Sequence, residues 1–149
     1  MSCVAHAGHL ARRFVGSLST KRPVSADLAW VRRQLLPAEW AMWERFGPAD
    51  QRHSVAVARR FVAGRPEATR AEVAGALLHD IGKINSQLGT VGRVVATIVG
   101  PRTDRFRRYH DHESIGAEWC AEAGSDPVTI DLVRGLGDAA PALRAADDV

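Results

Sequence analysis

A histidine and an aspartate stand side by side at the end of an apolar run, in the stretch Leu77-Leu78-His79-Asp80-Ile81-Gly82-Lys83. Imidazole and carboxylate groups both bind divalent metal ions. If the run is helical, the pair lies at a helix C-terminus, whose partial negative charge favours a cation. Gly82 would suit a C-terminal cap with positive φ. Lys83 would then place an ammonium group beside the metal, where it can bind a phosphate oxygen.

A second histidine, His53, precedes this pair by enough residues for the rest of one helix, a turn and a second helix. Such an antiparallel helical hairpin would return His53 to the side of His79. The spacing therefore predicts that the two imidazoles meet at one end of the hairpin. The alternative is an ordinary core or surface histidine.

The motif Leu-Leu-His-Asp-Ile-Gly-Lys resembles the central motif of the HD superfamily of metal-dependent phosphohydrolases. Members carry a first histidine on one helix, the His-Asp pair on a later helix and a last aspartate near the end of the domain. Arg52-His53-Ser54 before a Val/Ala-rich helix resembles the first of these helices, and Leu143-Arg144-Ala145-Ala146-Asp147 resembles the last. The resemblance implies four metal ligands, which are His53, His79, Asp80 and Asp147.

The last ligand has two alternatives, the adjacent Asp148 and the weaker candidate Asp131. Two imidazoles and two carboxylates make a mixed nitrogen and oxygen site. Such a site suits Mn²⁺, Fe²⁺, Co²⁺, Ni²⁺ or Zn²⁺ better than Ca²⁺. The resemblance thus implies a divalent transition metal as cofactor.

The segment from His112 to Ala117 resembles a histidine motif of larger family members, in which that histidine helps to hold a second metal ion. His110 is the neighbouring candidate. Binuclear members carry further histidines on the following helix, whereas residues 131–138 contain none, and the Gly-Tyr-Pro signature of cyclic-dinucleotide phosphodiesterases is missing. We therefore expect one ion per chain, with His112 binding substrate or transferring protons.

The most basic part of the chain is the segment 102–108, which contains four arginines. Guanidinium groups bind phosphate through paired hydrogen bonds. One interpretation is a solvated loop or short helix, and the other is a phosphate-binding rim. In the second interpretation the predicted substrate contacts are Arg105, Arg107 and Arg108, together with Lys83.

These residues predict an enzyme, a phosphomonoesterase or phosphodiesterase that hydrolyses a nucleotide or other small phosphate ester through a metal-activated water. Asp80 would orient or deprotonate the water, Lys83 would neutralise phosphoryl charge, and His112 would assist the leaving group. The alternative is a catalytically weak or inactive module that binds a metal and a nucleotide for regulation. Turnover, as opposed to thermal stabilisation by nucleotides, separates the two.

The amino-acid composition limits the classes of protein to which this chain can belong. The 149 residues are 46% hydrophobic and 25% charged, which is typical of a soluble globular domain. A net charge of +3 is too mild to indicate nucleic-acid binding, and no apolar run is long enough to span a bilayer. Cys3 and Cys120 make no disulfide framework, and the N-terminus lacks a leader pattern. We expect a cytoplasmic protein with a small phosphorylated partner, and the resemblance leaves a homodimer open.

Apolar residues recur at helical spacing along the whole chain, and no alternating strand pattern occurs. The sequence predicts an all-α, compact multi-helix bundle, which the resemblance identifies as an HD-domain bundle. We expect one domain over 1–149, with an N-terminal helical extension (1–36) and an HD core (37–149). Trp40, Trp43 and Phe46 are expected to pack on the core. Helices are predicted over 5–18, 26–35 and 84–99, after Pro37, from an N-cap at Asp50, and from Pro66 to the His79-Asp80 pair.

Overall fold

The computed structural model describes residues 19–86 and 111–149, which form seven α-helices, one short 3-10 helix and no strand. The predicted all-α bundle is confirmed. No helix within these ranges has both the length and the apolar character needed to cross a membrane. The predicted helix 5–18 and most of the predicted helix 84–99 lie outside the described residues. The helices are α1 (Ser25–Gln34), α2 (Pro37–Trp43), α3 (Pro48–Gly64), α4 (Arg70–Leu78), α5 (His112–Glu122), α6 (Pro127–Val133) and α7 (Ala140–Asp147), and the 3-10 helix Ile81–Ser86 follows α4.

The starts of α1 and α2 agree with the sequence, but the predicted start of α3 was wrong. Asp50 lies within the first turn of α3 and does not cap it, because the helix already begins at Pro48. Proline suits a first helical position, since its fixed φ fits the helix and its missing N–H group would have no partner there. The earlier start places His53 in the second turn of α3.

The predicted start of α4 at Pro66 was also wrong, because a capping box fixes the start at Arg70. The Thr69 hydroxyl accepts a hydrogen bond from the Glu72 backbone N–H at 3.2 Å, and the Glu72 carboxylate accepts one from the Thr69 N–H at 2.8 Å. Arg65 also donates to this carboxylate at 2.9 Å. The box satisfies two backbone N–H groups that the first turn would otherwise leave unpaired.

The core contains Trp43 and Phe46, as predicted, and both are buried. Trp40 stacks on Trp43 with the ring centroids 5.3 Å apart. The Trp43 indole N–H donates to the Ser54 hydroxyl at 2.8 Å, which links α2 to α3 beside His53. Trp43 therefore links this aromatic pair to α3, the helix that carries His53.

Helix α4 is buried on almost every side, and α6 lies directly against it. A Cβ atom added at Gly75 would lie 2.9 Å from the Leu132 side chain. The Thr129 hydroxyl donates to the Ala71 carbonyl oxygen at 2.8 Å and holds the same contact. The absent side chain at Gly75 thus lets α6 approach the helix that ends at His79.

Gly82 serves a purpose other than the one predicted from sequence. Positive φ angles occur at other described glycines, Gly124, Gly135 and Gly137, but not at Gly82. A Cβ atom on Gly82 would lie 1.9 Å from the His112 carbonyl oxygen and 2.8 Å from the Gly116 nitrogen. Glycine is therefore required because the 3-10 helix touches the backbone of α5, and this contact brings His112 next to Asp80.

We predict that Gly75→Ala destabilises the fold by about 1–3 kcal/mol, because the new methyl group would overpack the contact with Leu132. Gly64→Ala is the matched control, since a Cβ atom there meets nothing within 4 Å. Urea unfolding followed by circular dichroism measures both variants. Equal stabilities for the two variants would contradict the close packing of α4 on α6.

The Glu72 carboxylate gives a pH-dependent prediction. The hydrogen bond from Arg65, together with those at Thr69, lowers the Glu72 pKa in spite of burial. A lowered pKa stabilises the fold above the unfolded value of about 4.3, and the contribution is lost as the pH falls through the folded pKa. Glu72→Gln should cost about 1 kcal/mol at pH 7, and the difference from the wild type should shrink below pH ~4.

Glu67→Gln is the control for this pH series. Glu67 also contacts Arg65, at 3.3 Å, but its side chain is 69% exposed, so the pair contributes little. Urea unfolding from pH 3 to 7 should separate the two variants. A cost for Glu72→Gln that does not change with pH would show that packing, and not charge, accounts for it.

Candidate metal centre

Three donor groups from distant parts of the chain meet at one point, where they could hold a metal ion. His53 comes from α3, His79 follows the last residue of α4, and Asp147 ends α7. His53 Nε2 lies 2.9 Å and His79 Nε2 lies 3.8 Å from Asp147 Oδ1. One ligand atom from each residue lies within 4.8 Å of the others. We refer to these three residues as the metal triad.

The α3–α4 hairpin brings the two histidines together as their spacing predicted. Their ring centroids are 5.9 Å apart, although the residues lie near opposite ends of the hairpin sequence. Asp147 reaches them because α7 packs along α3, where Arg60 Nε donates to the Ala146 carbonyl oxygen at 2.7 Å. A hydrogen bond one residue away from the ligand thus fixes the end of α7.

His79 has the orientation of a metal ligand. Its Nδ1 lies 2.8 Å from the Ala76 carbonyl oxygen, and because a carbonyl only accepts, Nδ1 must carry the hydrogen. In the neutral ring the lone pair is then on Nε2, the atom that faces the other two triad residues. This Nε2 is buried and makes no hydrogen bond within the described residues. A buried acceptor of this kind fits a cation, and the mixed imidazole and carboxylate donors fit a transition metal.

Asp80, the fourth predicted ligand, lies beside the triad but not within it. Its Oδ1 is 3.5 Å from His79 Nε2, and its Oδ2 is 3.9 Å from His53 Nε2. Lys83 Nζ contacts Oδ2 at 2.6 Å, and His112 Nε2 lies 3.4 Å from Oδ1. The structure therefore places two of the predicted catalytic residues, Lys83 and His112, against the carboxylate of the third, Asp80.

The two carboxylates of the site are held in their charged forms. Burial alone would raise the pKa of Asp80, but its electrostatic interactions with the neighbouring His79, Lys83 and His112 side chains lower it well below its usual range. Burial also opposes the ionisation of Asp147, but the hydrogen bond with His53 and the proximity of His79 lower its pKa. Both groups therefore offer anionic oxygen atoms to a cation at neutral pH.

A cavity of about 270 Å³ opens onto the site. His79, Asp80, Lys83, His112 and Asp147 line one part of it, and Leu132, Val133 and Leu143 line an apolar part. The arginines predicted to contact substrate (Arg105, Arg107 and Arg108) and the candidate ligand His110 lie outside the described residues.

Three charged residues of the cavity were missed by sequence reasoning: Glu113, Arg134 and Arg144. Arg144 precedes Asp147 by three residues on a helix, so it lies on the same face, and this spacing was a readable signal. Arg134 has no comparable signal in the sequence. Asp148 and Asp131, the alternatives to Asp147, are exposed and do not belong to the triad.

We predict that a divalent transition metal raises the melting temperature of chelator-treated protein. At a metal concentration of 100 Kd the stabilisation should be about 2.7 kcal/mol, because the ion binds the folded chain selectively. Asp147→Asn should abolish this shift, whereas the adjacent Asp148→Asn should preserve it. A shift that survives Asp147→Asn would exclude Asp147 as a ligand.

Comparisons of the chain with protein-family models, with curated proteins and with solved structures found no match. The proposed function therefore rests on the geometry of the donor groups of His53, His79 and Asp147.

Proposed function

We propose that this protein is a metal-dependent phosphohydrolase that acts on a small phosphate ester, with nucleotides as the first class to test. The observation that carries the proposal is the convergence of the metal triad with Asp80, Lys83 and His112, beside a cavity that two triad residues, His79 and Asp147, help to line. The site combines anionic and imidazole donors for a cation with cationic groups for an anion. Metal-dependent hydrolysis of a phosphate ester uses both.

The resemblance to the HD superfamily supports the same proposal. The predicted ligands follow the family order along the chain, and three of them (His53, His79 and Asp147) form the compact triad. Chance polar residues at such distant positions would have no reason to meet at one point. Within this proposal Asp80 completes the ligand set, and one transition-metal ion binds per chain.

A divalent metal at this position supplies Lewis acidity that polarises a phosphoryl group and makes a water molecule more acidic. Asp80 is suited to orient that water, because its ionised oxygens accept hydrogen bonds. Its low pKa makes it a weak base, so orientation is a better role for Asp80 than proton removal. His112 Nε2, at 3.4 Å from Asp80 Oδ1, is positioned to donate a proton to the leaving oxygen.

The cations of the cavity would bind the phosphate group. Lys83, Arg134 and Arg144 line the same cavity as the triad residues His79 and Asp147. Arginine forms paired hydrogen bonds to phosphate. The apolar part of the cavity, formed by Leu132, Val133 and Leu143, would contact the organic part of the ester.

The activity prediction uses protein loaded with Mn²⁺ or Co²⁺ and a panel of nucleoside monophosphates and p-nitrophenyl phosphate esters. Phosphate or nitrophenol release should be measurable, and Asp80→Ala should lower kcat by at least about 10²-fold because the water loses its orienting group. Arg144→Met should mainly raise KM, since it removes a contact to the ground state. Colorimetric assays report both constants.

Asp131→Asn is the control, because Asp131 is exposed and does not line the cavity. Its kinetics should equal those of the wild type. Full activity in a folded Asp80→Ala variant would overturn the proposed mechanism. Nucleotides that raise the melting temperature without being hydrolysed would favour the regulatory module over the enzyme.

A further inference from the structure

We infer that Lys83 competes with the metal ion for the carboxylate of Asp80 and thereby sets the metal affinity of the site. The inference rests on the metal centre proposed above. It assigns Lys83 a positioning role toward the metal, in addition to any contact with phosphate.

Lys83 and Asp80 are joined by a short contact between oppositely charged groups. Lys83 Nζ lies 2.6 Å from Asp80 Oδ2, and the side chains are only 19% and 11% exposed. Charge-assisted hydrogen bonds of this length are strong, and limited access to water reduces screening of the two charges. The Lys83 ammonium therefore already neutralises much of the Asp80 charge before any metal binds.

Both oxygens of Asp80 face residues of the triad, and Lys83 holds one of them, Oδ2. Asp80 Oδ2 lies 3.9 Å from His53 Nε2, whereas Oδ1 lies toward His79 and His112. Asp80 is nevertheless absent from the compact group formed by the triad. A metal ion that recruits Asp80 through either oxygen would thus share the negative charge of this carboxylate with Lys83.

Competition between Lys83 and a metal ion for Asp80 involves only a short segment of the chain. Asp80 and Lys83 are three residues apart, and the Lys83 backbone N–H donates to the Asp80 carbonyl oxygen at 3.0 Å. The two side chains can therefore separate while the backbone keeps its hydrogen bond. Once separated from Asp80, the Lys83 ammonium would still line the cavity and could bind an anion there. Metal and anion binding would then strengthen each other through Lys83.

The test measures the Kd of Mn²⁺ alone, by electron paramagnetic resonance of the free ion, on chelator-treated full-length protein. Lys83→Met should tighten Mn²⁺ binding about tenfold, the scale on which second-layer partners alter metal affinity. Lys83→Arg keeps the charge and should stay close to the wild type. Circular dichroism checks folding, and Lys83→Gln replaces Lys83→Met if the methionine variant does not fold.

A double-mutant cycle separates competition for Asp80 from a general effect of positive charge. In an Asp80→Asn background, Lys83→Met should change the Kd by less than about twofold. Arg144→Met is the matched control, because Arg144 is another cation of the same cavity and its guanidinium donates to the Gly135 carbonyl oxygen. Its removal should tighten Mn²⁺ binding much less than removal of Lys83.

Two results would overturn the inference but leave the metal triad in place. One is an unchanged Kd in folded Lys83→Met protein, and the other is an equal gain from Lys83→Met in the wild-type and Asp80→Asn backgrounds. A wild-type protein that binds no Mn²⁺, Co²⁺ or Zn²⁺ would instead overturn the proposed metal centre, and this inference with it.

Discussion

Two carboxylates, the buried Asp80 and the half-buried Asp147, lie close together, and the surrounding groups offset their charge. Isolated ionised groups are costly to bury, so each carboxylate needs cationic or hydrogen-bonding neighbours. His53 and His79 face Asp147, while Lys83 and His112 face the two oxygens of Asp80. A divalent cation among these donors would supply the same compensation with greater charge. The requirement for compensation therefore explains why imidazole and ammonium groups surround these two carboxylates.

Contacts outside the site keep these charges together. Thr69 and Glu72 fix the start of α4, and the Trp43–Ser54 hydrogen bond ties α2 to the turn that carries His53. The Arg60–Ala146 hydrogen bond fixes the end of α7. At Gly82, the 3-10 helix touches α5 and so places His112 beside Asp80. Because the functional groups lie at or near helix ends, a shift in one helix axis would change the distances between them. The site thus depends on ordinary packing at some distance from it.

Helical periodicity was enough to predict the fold class, and the spacing from His53 to His79 was enough to predict their meeting at a hairpin end. The Thr69–Glu72 capping box could also have been recognised in the sequence. The prediction of a helix start at Pro66 overlooked it. Other features depend on tertiary contacts that a single sequence does not contain. From the sequence alone, Gly82 is equally consistent with a local turn. The close contact with α5 that requires glycine at this position is visible only in the structure. Arg134 likewise reaches the cavity through the placement of α6, which no spacing pattern reveals.

The charge balance of the cavity also bears on the number of metal ions. A second ion beside His112 would have to share Asp80, whose oxygens already face Lys83 and His112. The end of α6 contributes Leu132, Val133 and Arg134 to the cavity, and none of these is a metal ligand. Lys83, Arg134 and Arg144 add positive charge that would repel a further cation at short range. The same charges attract an anion, so the proposed function is more consistent with one metal ion and one phosphate group in the described part of the cavity than with two metal ions.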